Sequence, residues 1–317
     1  MPERPDANAP RVRHCVVDER SEGQRLDNFL IREMQGVPKT RLYRALRKGE
    51  IRVNKGRARA DYRLSPGDVV RLPPLHQASR KEAAVVPYYW SERLSGRIVL
   101  RDDRLLVINK PSGLAVHGGS GLDFGLIECL RQIYSDDRHL ELVHRLDRDT
   151  SGLILVSRQP RALRELHGLL RGDGVNKEYL ALASGHWPRH LTRVEAPLEK
   201  NTLQSGERMV RVAKGGKASL TAFSVIRYVG DATLLRASPI TGRTHQIRIH
   251  ARHAGFPLLG DEKYQDERSA ALTRQLGLQR LFLHAERLRF RLADVDYDLA
   301  AELDDDLAAL IEPPASR

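Results

Sequence analysis

The sequence is organised around a polar nonapeptide, His144-Arg145-Leu146-Asp147-Arg148-Asp149-Thr150-Ser151-Gly152. Apolar segments flank it on both sides, Leu140-Glu141-Leu142-Val143 before it and Leu153-Ile154-Leu155-Val156 after it. Short apolar runs separated by polar turn residues are typical of two strands joined by a loop. The nonapeptide is therefore predicted to be a loop held by a sheet, a position in which functional side chains are common.

Asp147 lies between two arginines of this loop, Arg145 and Arg148. A neighbouring cation favours the charged form of a carboxylate, and a charged carboxylate can attack carbon or accept a proton. In an extended loop, the side chains of Arg145 and Asp147 would leave the chain on the same face. The simpler interpretation is a polar turn in which this Asp caps a helix or forms a structural ion pair.

The length and composition indicate a globular protein of two domains, with 317 residues, 41% hydrophobic and 30% charged. No apolar run approaches the roughly 20 residues that a membrane-spanning helix needs, and residues 1–13 are polar, unlike a signal peptide. The two cysteines, Cys15 and Cys129, are far apart and form neither a metal-ligand spacing nor a disulfide framework. We therefore expect a reduced, cytoplasmic protein, and we take it to be monomeric and without membrane contact.

The net charge is +12 and the isoelectric point is about 9.9, which favours a polyanionic partner. Residues 11–71 contain 16 Lys or Arg against 8 Asp or Glu, so this fifth of the chain holds two thirds of the excess charge. Aromatic residues make up only 5% of the chain, too few for a general single-strand binder that stacks bases on rings. The charge therefore indicates binding of nucleic acid through phosphates and shape.

Residues 15–74 are predicted to form a small α/β unit of two helices and a hairpin. The first helix, capped by Ser21, is expected to bury its apolar side chains, and the second, residues 39–48, is expected to end at Gly49. Strands are predicted at residues 51–54 and 69–72. The segments that resemble the S4 RNA-binding domain are Arg25-Leu26-Asp27-Asn28-Phe29-Leu30, Val37-Pro38-Lys39-Thr40-Arg41-Leu42 and Gly49-Glu50-Ile51-Arg52-Val53-Asn54.

That resemblance implies a module that grips folded RNA with the cations of its second helix and of the strand that follows. The alternative is a basic helix that is only solvated. The cations expected to contact RNA are Lys39, Arg41, Arg44, Arg47, Lys48 and Arg52.

The remaining sequence is divided into a disordered tail at residues 1–14, a linker at 75–94 and a second domain at 95–317. In the second domain, strands are predicted at 98–100, 105–108, 176–184, 209–212, 220–229, 233–237, 281–285 and 288–292, and helices at 160–170, 245–254 and 299–311. Strands outnumber helices and several are joined by short turns. The predicted fold class is therefore α+β, with a mixed, largely antiparallel sheet flanked by helices.

Four stretches of the second domain resemble the RluA family of pseudouridine synthases. They are Asn109-Lys110-Pro111-Ser112-Gly113, the nonapeptide, Lys177-Glu178-Tyr179, and Gly242-Arg243-Thr244-His245-Gln246-Ile247-Arg248-Ile249-His250. They follow the order found in the family and extend over residues 95–290. Two further segments, Val116-His117-Gly118-Gly119-Ser120-Gly121 and Leu203-Gln204-Ser205-Gly206-Glu207-Arg208, are similar to the branch that acts on large-subunit ribosomal RNA.

The family resemblance assigns roles to three residues, and the position of Arg145 in the loop suggests a role for a fourth. Asp147 is the implied nucleophile or base, Tyr179 stacks on the extruded uracil, and Arg248 pairs with the carboxylate as a bidentate fork. Arg145 either fills the gap left by the extruded base or forms a purely structural pair. Without the family match, Tyr179 would be read as a half-buried strand residue and Arg248 as a helix-surface residue. Lys110, Arg148 and Arg243 are expected to contact RNA, because they are charged and adjoin the matched motifs.

The implied activity is cofactor-free isomerisation of specific uridines to pseudouridine in 23S ribosomal RNA, as free RNA or in a large-subunit assembly intermediate. The alternatives are the same reaction on transfer RNA or another ribosomal RNA helix, and a non-catalytic S4-type ribosome-assembly factor. Other chemistry lacks its motif. The Gly-rich loop at 116–121 has neither the Walker spacing nor the dinucleotide-binding fingerprint. His245 and His250 are not at the i, i+4 spacing of a zinc-binding helix. Thr150-Ser151-Gly152 does not match the nucleophile-elbow motif of serine hydrolases.

Overall fold

The computed structural model describes residues 12–34, 36–75, 86–118, 123–137, 139–202 and 208–311. The chain divides into two compact units, Met1–Val85 and Val86–Arg317. Several predicted segments lie outside the described residues: tail residues 1–11, linker residues 76–85, residues 119–121 of the Gly-rich loop, and residues 203–207.

The first unit is a small α/β unit with one apolar core. Its elements are β1 (Arg13–Val16), α1 (Leu26–Glu33), α2 (Lys39–Lys48), β2 (Arg52–Val53) and β3 (Val69–Leu72), and the antiparallel sheet has the order β1-β3-β2. Leu30 of α1 and Leu42 of α2 pack in this core with Val70 of β3. As predicted, α2 ends at Gly49, whose φ of 71° is left-handed, a conformation that glycine adopts at little cost.

Two boundaries of this unit differ from the prediction. Ser21 does not cap α1; it ends a short 3-10 turn, Glu19–Ser21, and its hydroxyl donates to the carboxylate of Asp18. The predicted tail also ends earlier, because Arg13 and His14 pair with β3 as the first residues of β1. The second difference arises from pairing with a strand more than 50 residues away, which local sequence does not reveal.

The second unit contains most of the secondary structure. Its helices are α3 (Tyr88–Ser95), α4 (Leu126–Ile133), α5 (Pro160–Arg171), α6 (Gln246–His253), α7 (Glu267–Gln275) and α8 (Asp305–Ile311). Its strands are β4 (Ile98–Arg101), β5 (Leu105–Lys110), β6 (Glu141–Leu142), β7 (Ser151–Ser157), β8 (Val175–Ser184), β9 (Arg193–Glu195), β10 (Leu198–Thr202), β11 (Arg208–Val212), β12 (Leu220–Val229), β13 (Ala232–Pro239), β14 (Leu283–Leu292) and β15 (Val295–Ala300).

One ten-stranded sheet organises this unit, with the order β4-β5-β7-β14-β8-β13-β12-β9; β15 pairs with β14, and β6 pairs with β7. All pairings are antiparallel except that of β7 with β14. Successive strand residues face opposite sides. Leu106 and Ile154 therefore pack with α3 and α4, whereas Leu105 and Leu153 pack with α5. The predicted fold class, a mixed and largely antiparallel sheet flanked by helices, is confirmed.

The parallel pairing lies at the end of the nonapeptide. Ser151 and Gly152 pair with His284 and Ala285 and with no other residue of β14. Gly152 has φ +106°, and a Cβ there would lie 2.3 Å from the carbonyl oxygen of Ala285. Only glycine fits this approach without moving the backbone. The last residue of the nonapeptide must therefore be glycine, because the backbones of β7 and β14 approach each other closely at this point.

Three segments differ from the prediction. Residues 88–95, mostly within the predicted linker, form α3, because Trp90 and Leu94 are buried in the core of the second unit. The helix predicted at residues 299–311 begins only at Asp305, since Leu299 belongs to β15 and pairs with Leu288. The two strands predicted at 281–285 and 288–292 are one strand, β14. Within the described residues, no helix is long and apolar enough to cross a membrane.

Candidate active site

A pocket of about 310 Å³ brings the sequence motifs together. Its walls come from the nonapeptide, from β8 and from the segment that runs from the end of β13 into α6. The titratable side chains that line it are His144, Arg145, Asp147, Lys177, Tyr179, Arg243, His245 and Arg248. All four residues predicted to be catalytic therefore line one pocket, together with Arg243.

Lys110 supports the nonapeptide loop from inside the protein. Its ammonium donates to the carbonyl oxygens of Pro111, Leu114 and Arg148 at 2.9, 2.9 and 3.0 Å, and the side chain has no exposed surface. Burial lowers the pKa of Lys110 to about 7, but three acceptors require three N–H donors, which only the ammonium form has. The prediction that Lys110 contacts RNA is therefore replaced by a structural role, because a fully buried ammonium cannot reach a phosphate.

The same turn makes two further bonds to the loop. The Ser112 hydroxyl donates to the carbonyl oxygen of Asp149 at 2.8 Å, and the Gly113 N–H donates to that of Arg148 at 2.9 Å. These contacts explain why the Asn109–Gly113 motif accompanies the nonapeptide. The motif fixes the backbone immediately after Asp147.

The Asp147 carboxylate is largely buried, with 18% of its side chain exposed, and two donors approach the same oxygen. Nη1 of Arg248 lies 3.6 Å from Oδ2, and Nε2 of His245 lies 3.8 Å from it. Neither carboxylate oxygen makes a hydrogen bond to a described residue, and both of these approaches are to Oδ2. One oxygen of the carboxylate therefore faces positive or donor groups, and the other is available to a substrate.

Arg248 holds a different carboxylate from the one predicted. Its Nε and Nη2 donate to Asp261 at 2.7 and 2.6 Å, so the bidentate fork is directed at this buried residue. Burial opposes the charge of the guanidinium, but the hydrogen bonds that it donates to Asp261, together with the charge of that carboxylate, raise its pKa overall. Arg248 therefore remains a cation, and its remaining nitrogen, Nη1, faces Asp147.

Tyr179 lies on β8, in the strand position opposite Ala285 of β14. Burial, and to a lesser degree the negative charge of Asp147, raise the pKa of its hydroxyl, so the group stays protonated. The hydroxyl makes no hydrogen bond to any described residue. Its ring and its free O–H are therefore both available in the pocket.

Two residues that sequence reasoning did not assign complete this site. Asp261 receives the fork of Arg248, and it also accepts the backbone N–H groups of Lys263 and Tyr264. The hydroxyl of buried Tyr264 lies 2.6 Å from Nδ1 of His245, and the Arg248 guanidinium lies over its ring at 5.0 Å. The available signal for Asp261 was an acidic residue directly after the apolar run Pro257-Leu258-Leu259-Gly260.

His144 and Lys177 form a further part of the pocket wall. The His144 Nε2 accepts the N–H of Leu155 at 3.1 Å, and burial lowers the pKa of this histidine to about 4. It is therefore neutral at physiological pH. Burial also lowers the pKa of Lys177, an effect that Asp173 opposes. The side chain of Lys177 makes no ion pair or hydrogen bond to a described residue.

The other predicted RNA contacts are placed as follows. Arg145 and Arg243 are exposed and line the pocket. Arg148 is exposed and pairs with Asp149 at 3.1 Å. The cations of α2 are all exposed on the first unit: Lys39, Arg41, Arg44, Arg47 and Lys48. Arg52 is exposed too, but its Nε donates to the carbonyl oxygen of Gly49, so it also closes the turn after α2.

Comparison with known proteins identifies the family of the chain. The family model for RNA pseudouridylate synthase matches residues 104–253, and the model for the S4 domain matches residues 24–70. The chain is 53% identical over 281 residues to ribosomal large subunit pseudouridine synthase C of Pasteurella multocida, covering 88% of this chain and 86% of that protein. It is 53% identical over 287 residues to the protein of the same name from Escherichia coli strain K12, covering 89% of each.

A solved structure resembles the fold of this chain. Human RNA pseudouridylate synthase domain containing 4 superposes with a TM-score of 0.58 at 27% identity, covering 70% of this chain and 94% of that one. The matches span the pocket motifs and the N-terminal basic unit alike. The motif-based recognition is thereby confirmed: the chain belongs to the RNA pseudouridylate synthase family, as a member of the RluA type with an N-terminal S4 domain.

Proposed function

We propose that this enzyme isomerises specific uridines of 23S ribosomal RNA to pseudouridine without a cofactor. The observation that carries the proposal is the meeting of Asp147, Tyr179 and Arg248 in one pocket. The choice of RNA is inferred from the names of the relatives, which specify the large ribosomal subunit. Because 23S RNA is made and assembled in the cytoplasm, we place the enzyme there, acting as a monomer on free RNA or on an assembly intermediate.

The reaction needs a reactive carboxylate and a platform for the base. The N1–C1′ bond breaks, the uracil turns, and C5 joins C1′; N1 gains a proton and C5 loses one, so the composition is unchanged. The free Oδ1 of Asp147 can attack C1′ or C6, stabilise a cationic sugar, or remove the C2′ proton. The ring of Tyr179 can stack on uracil while it turns, and its protonated hydroxyl can donate a hydrogen bond to it.

The target uridine must leave its stack before it can reach Asp147. Extrusion costs a few kcal/mol, and phosphate contacts elsewhere offset this cost. Arg145 is exposed on the same loop as the carboxylate, so it can occupy the gap in the RNA or hold the neighbouring phosphates. Arg148, Arg243 and the exposed cations of α2 are the other proposed contacts.

A pseudouridine map of RNA from cells with and without this gene tests the proposal. We expect a few 23S uridines to lose the modification when the gene is removed, and to regain it with the wild-type protein. The Asp147→Asn protein should bind 23S RNA with an affinity near that of the wild type but should not restore the modification. Unchanged 23S RNA with altered transfer RNA would contradict the proposed substrate. Restoration by Asp147→Asn would favour a non-catalytic assembly factor.

A further inference from the structure

His245 occupies a strained backbone position beside the reactive carboxylate. It is the residue before α6, and its φ of 52° and ψ of 21° are left-handed. Non-glycine residues rarely adopt this conformation, and where they do so at a functional site the surrounding structure holds them there. Only 13% of its side chain is exposed, in the wall of the pocket.

The contacts of the ring fix which nitrogen carries the proton. Tyr264 is buried, and its hydroxyl oxygen accepts the N–H of Val210 at 3.0 Å. Among the described residues the only acceptor within hydrogen-bond distance of the hydroxyl hydrogen is Nδ1 of His245, which lies 2.6 Å away, so we take the hydroxyl to donate to it. An imidazole that accepts at Nδ1 in its neutral form carries its hydrogen on Nε2. His245 therefore presents an N–H donor toward the pocket.

That donor faces the oxygen of Asp147 that Arg248 also faces. Nε2 of His245 is 3.8 Å from Oδ2, and Nη1 of Arg248 is 3.6 Å from the same atom. The other two donor nitrogens of the Arg248 fork are occupied by Asp261. Arg248 thus has only one nitrogen left for Asp147, which alone does not fix the rotation of the carboxylate.

We propose that His245 is a positioning residue for Asp147. Its Nε2–H, held in place by Tyr264, closes on Oδ2 together with Arg248 when RNA is bound, and Oδ1 is left as the oxygen that reacts. Separations of this length in a free enzyme commonly shorten in the substrate complex. The inference rests on the proposed function, because it concerns the orientation of the same carboxylate.

Two substitutions of His245 place an amide at different distances from the backbone, and of the two Asn is better suited to the left-handed conformation. Asn tolerates the left-handed backbone and can still bond to Tyr264, but its amide ends near the position of Nδ1 and leaves Oδ2 without this donor. Gln places an amide N–H near the position of Nε2. We expect His245→Asn to lower the single-turnover rate about 10- to 100-fold, as for loss of one hydrogen bond to a charged group. We expect His245→Gln to recover most of that rate.

The RNA dissociation constant should stay within about threefold of wild type for both variants, since a positioning residue acts on the chemical step. Tyr264→Phe removes only the hydroxyl, and it should lower the single-turnover rate by a smaller factor than His245→Asn does. The rates are measured with enzyme in saturating excess over RNA, on whichever RNA the wild-type protein modifies. A wild-type protein that leaves 23S RNA unmodified but modifies transfer RNA therefore contradicts the substrate and not this inference.

Three results would overturn the role of His245. The first is a His245→Asn protein as fast as the wild type. The second is a His245→Gln protein as slow as His245→Asn while both melt within a few degrees of the wild type. The third is weakened RNA binding with an unchanged rate on bound RNA, which would show that His245 contacts the RNA and does not position Asp147.

Discussion

Replacing Lys110 by Met should separate stability from catalysis. Lys110→Met removes a fully buried ammonium that donates to three carbonyl oxygens at 2.9, 2.9 and 3.0 Å. The Arg148 carbonyl keeps the N–H of Gly113, so the carbonyls of Pro111 and Leu114 lose the donor they have in the wild type. Each unsatisfied carbonyl costs about 1–3 kcal/mol.

The opposing effect is the relief of a buried charge. Burial lowers the pKa of Lys110 from 10.5 to about 7, which corresponds to a penalty of about 5 kcal/mol at 1.36 kcal/mol per unit. The gain and the loss are similar in size, as in other replacements of buried charges by apolar side chains of similar volume. We therefore expect the melting temperature to change by less than about 10 °C.

Activity should respond differently, because the bond to Arg148 anchors the residue after Asp147. We expect the single-turnover rate of Lys110→Met to fall about 10- to 100-fold through misplacement of the carboxylate, with RNA affinity retained. Ser112→Ala is the matched control. It removes one neutral bond to the carbonyl of Asp149 in the same loop, and it should cost about 1 kcal/mol. Full activity in Lys110→Met would refute the positioning role, and a large fall in melting temperature with loss of RNA binding would refute the balance of energies.

Further predictions concern other charged side chains. Asp261→Ala leaves the buried fork of Arg248 without its carboxylate, so urea titration should show about 3–5 kcal/mol less stability. Asp298→Ala breaks exposed pairs with Arg287 and Arg289 and should leave stability nearly unchanged; equal losses would contradict this contrast. Lys177→Gln removes a pocket cation with no partner in the described structure; if that cation binds a phosphate, the slope of log affinity against log salt should fall by about 0.7, and an unchanged slope would exclude this contact. Arg41→Gln with Arg44→Gln should lower the same slope by about 1.4 without changing the rate on bound RNA, whereas unaltered binding would show that α2 is only solvated. Between pH 6.5 and about 4, unfolded His144 gains a proton that the folded residue, with its pKa lowered by burial, does not bind; stability should therefore fall by about 1–3 kcal/mol with decreasing pH, and His144→Gln should remove that part of the slope.

The sequence predicted those parts of the fold that local pattern determines. α2 and α5 were predicted nearly to the residue, because their apolar positions follow helical period and each is bounded by a Gly. Strand β15 was not predicted, because its short alternating pattern is stabilised by pairing with β14, which the local sequence does not show. Helix α7 was not predicted either, because its apolar residues follow helical period only weakly, although Asp266 and Ser269 form a capping box at its start.

The site was predicted by motif and refined by geometry. Asp147, Tyr179 and Arg248 were identified because their spacing matched a known family, but no local rule indicates that Arg248 directs its fork to Asp261. Lys110 was assigned to RNA because charge alone does not distinguish a buried ammonium from an exposed one. His245 was considered only as a metal ligand, since its role depends on Tyr264, which lies 19 residues later.

The parallel contact between Gly152 and Ala285 has a consequence for biosynthesis. The segment just after Asp147 and the strand that supports it are separated by more than 130 residues, so the ribosome makes the supporting strand well after the reactive loop. The reactive loop of a nascent chain therefore stays without its final support until β14 has emerged from the exit tunnel. A chain that ends before residue 283 therefore lacks this support, and we expect such a chain to be inactive.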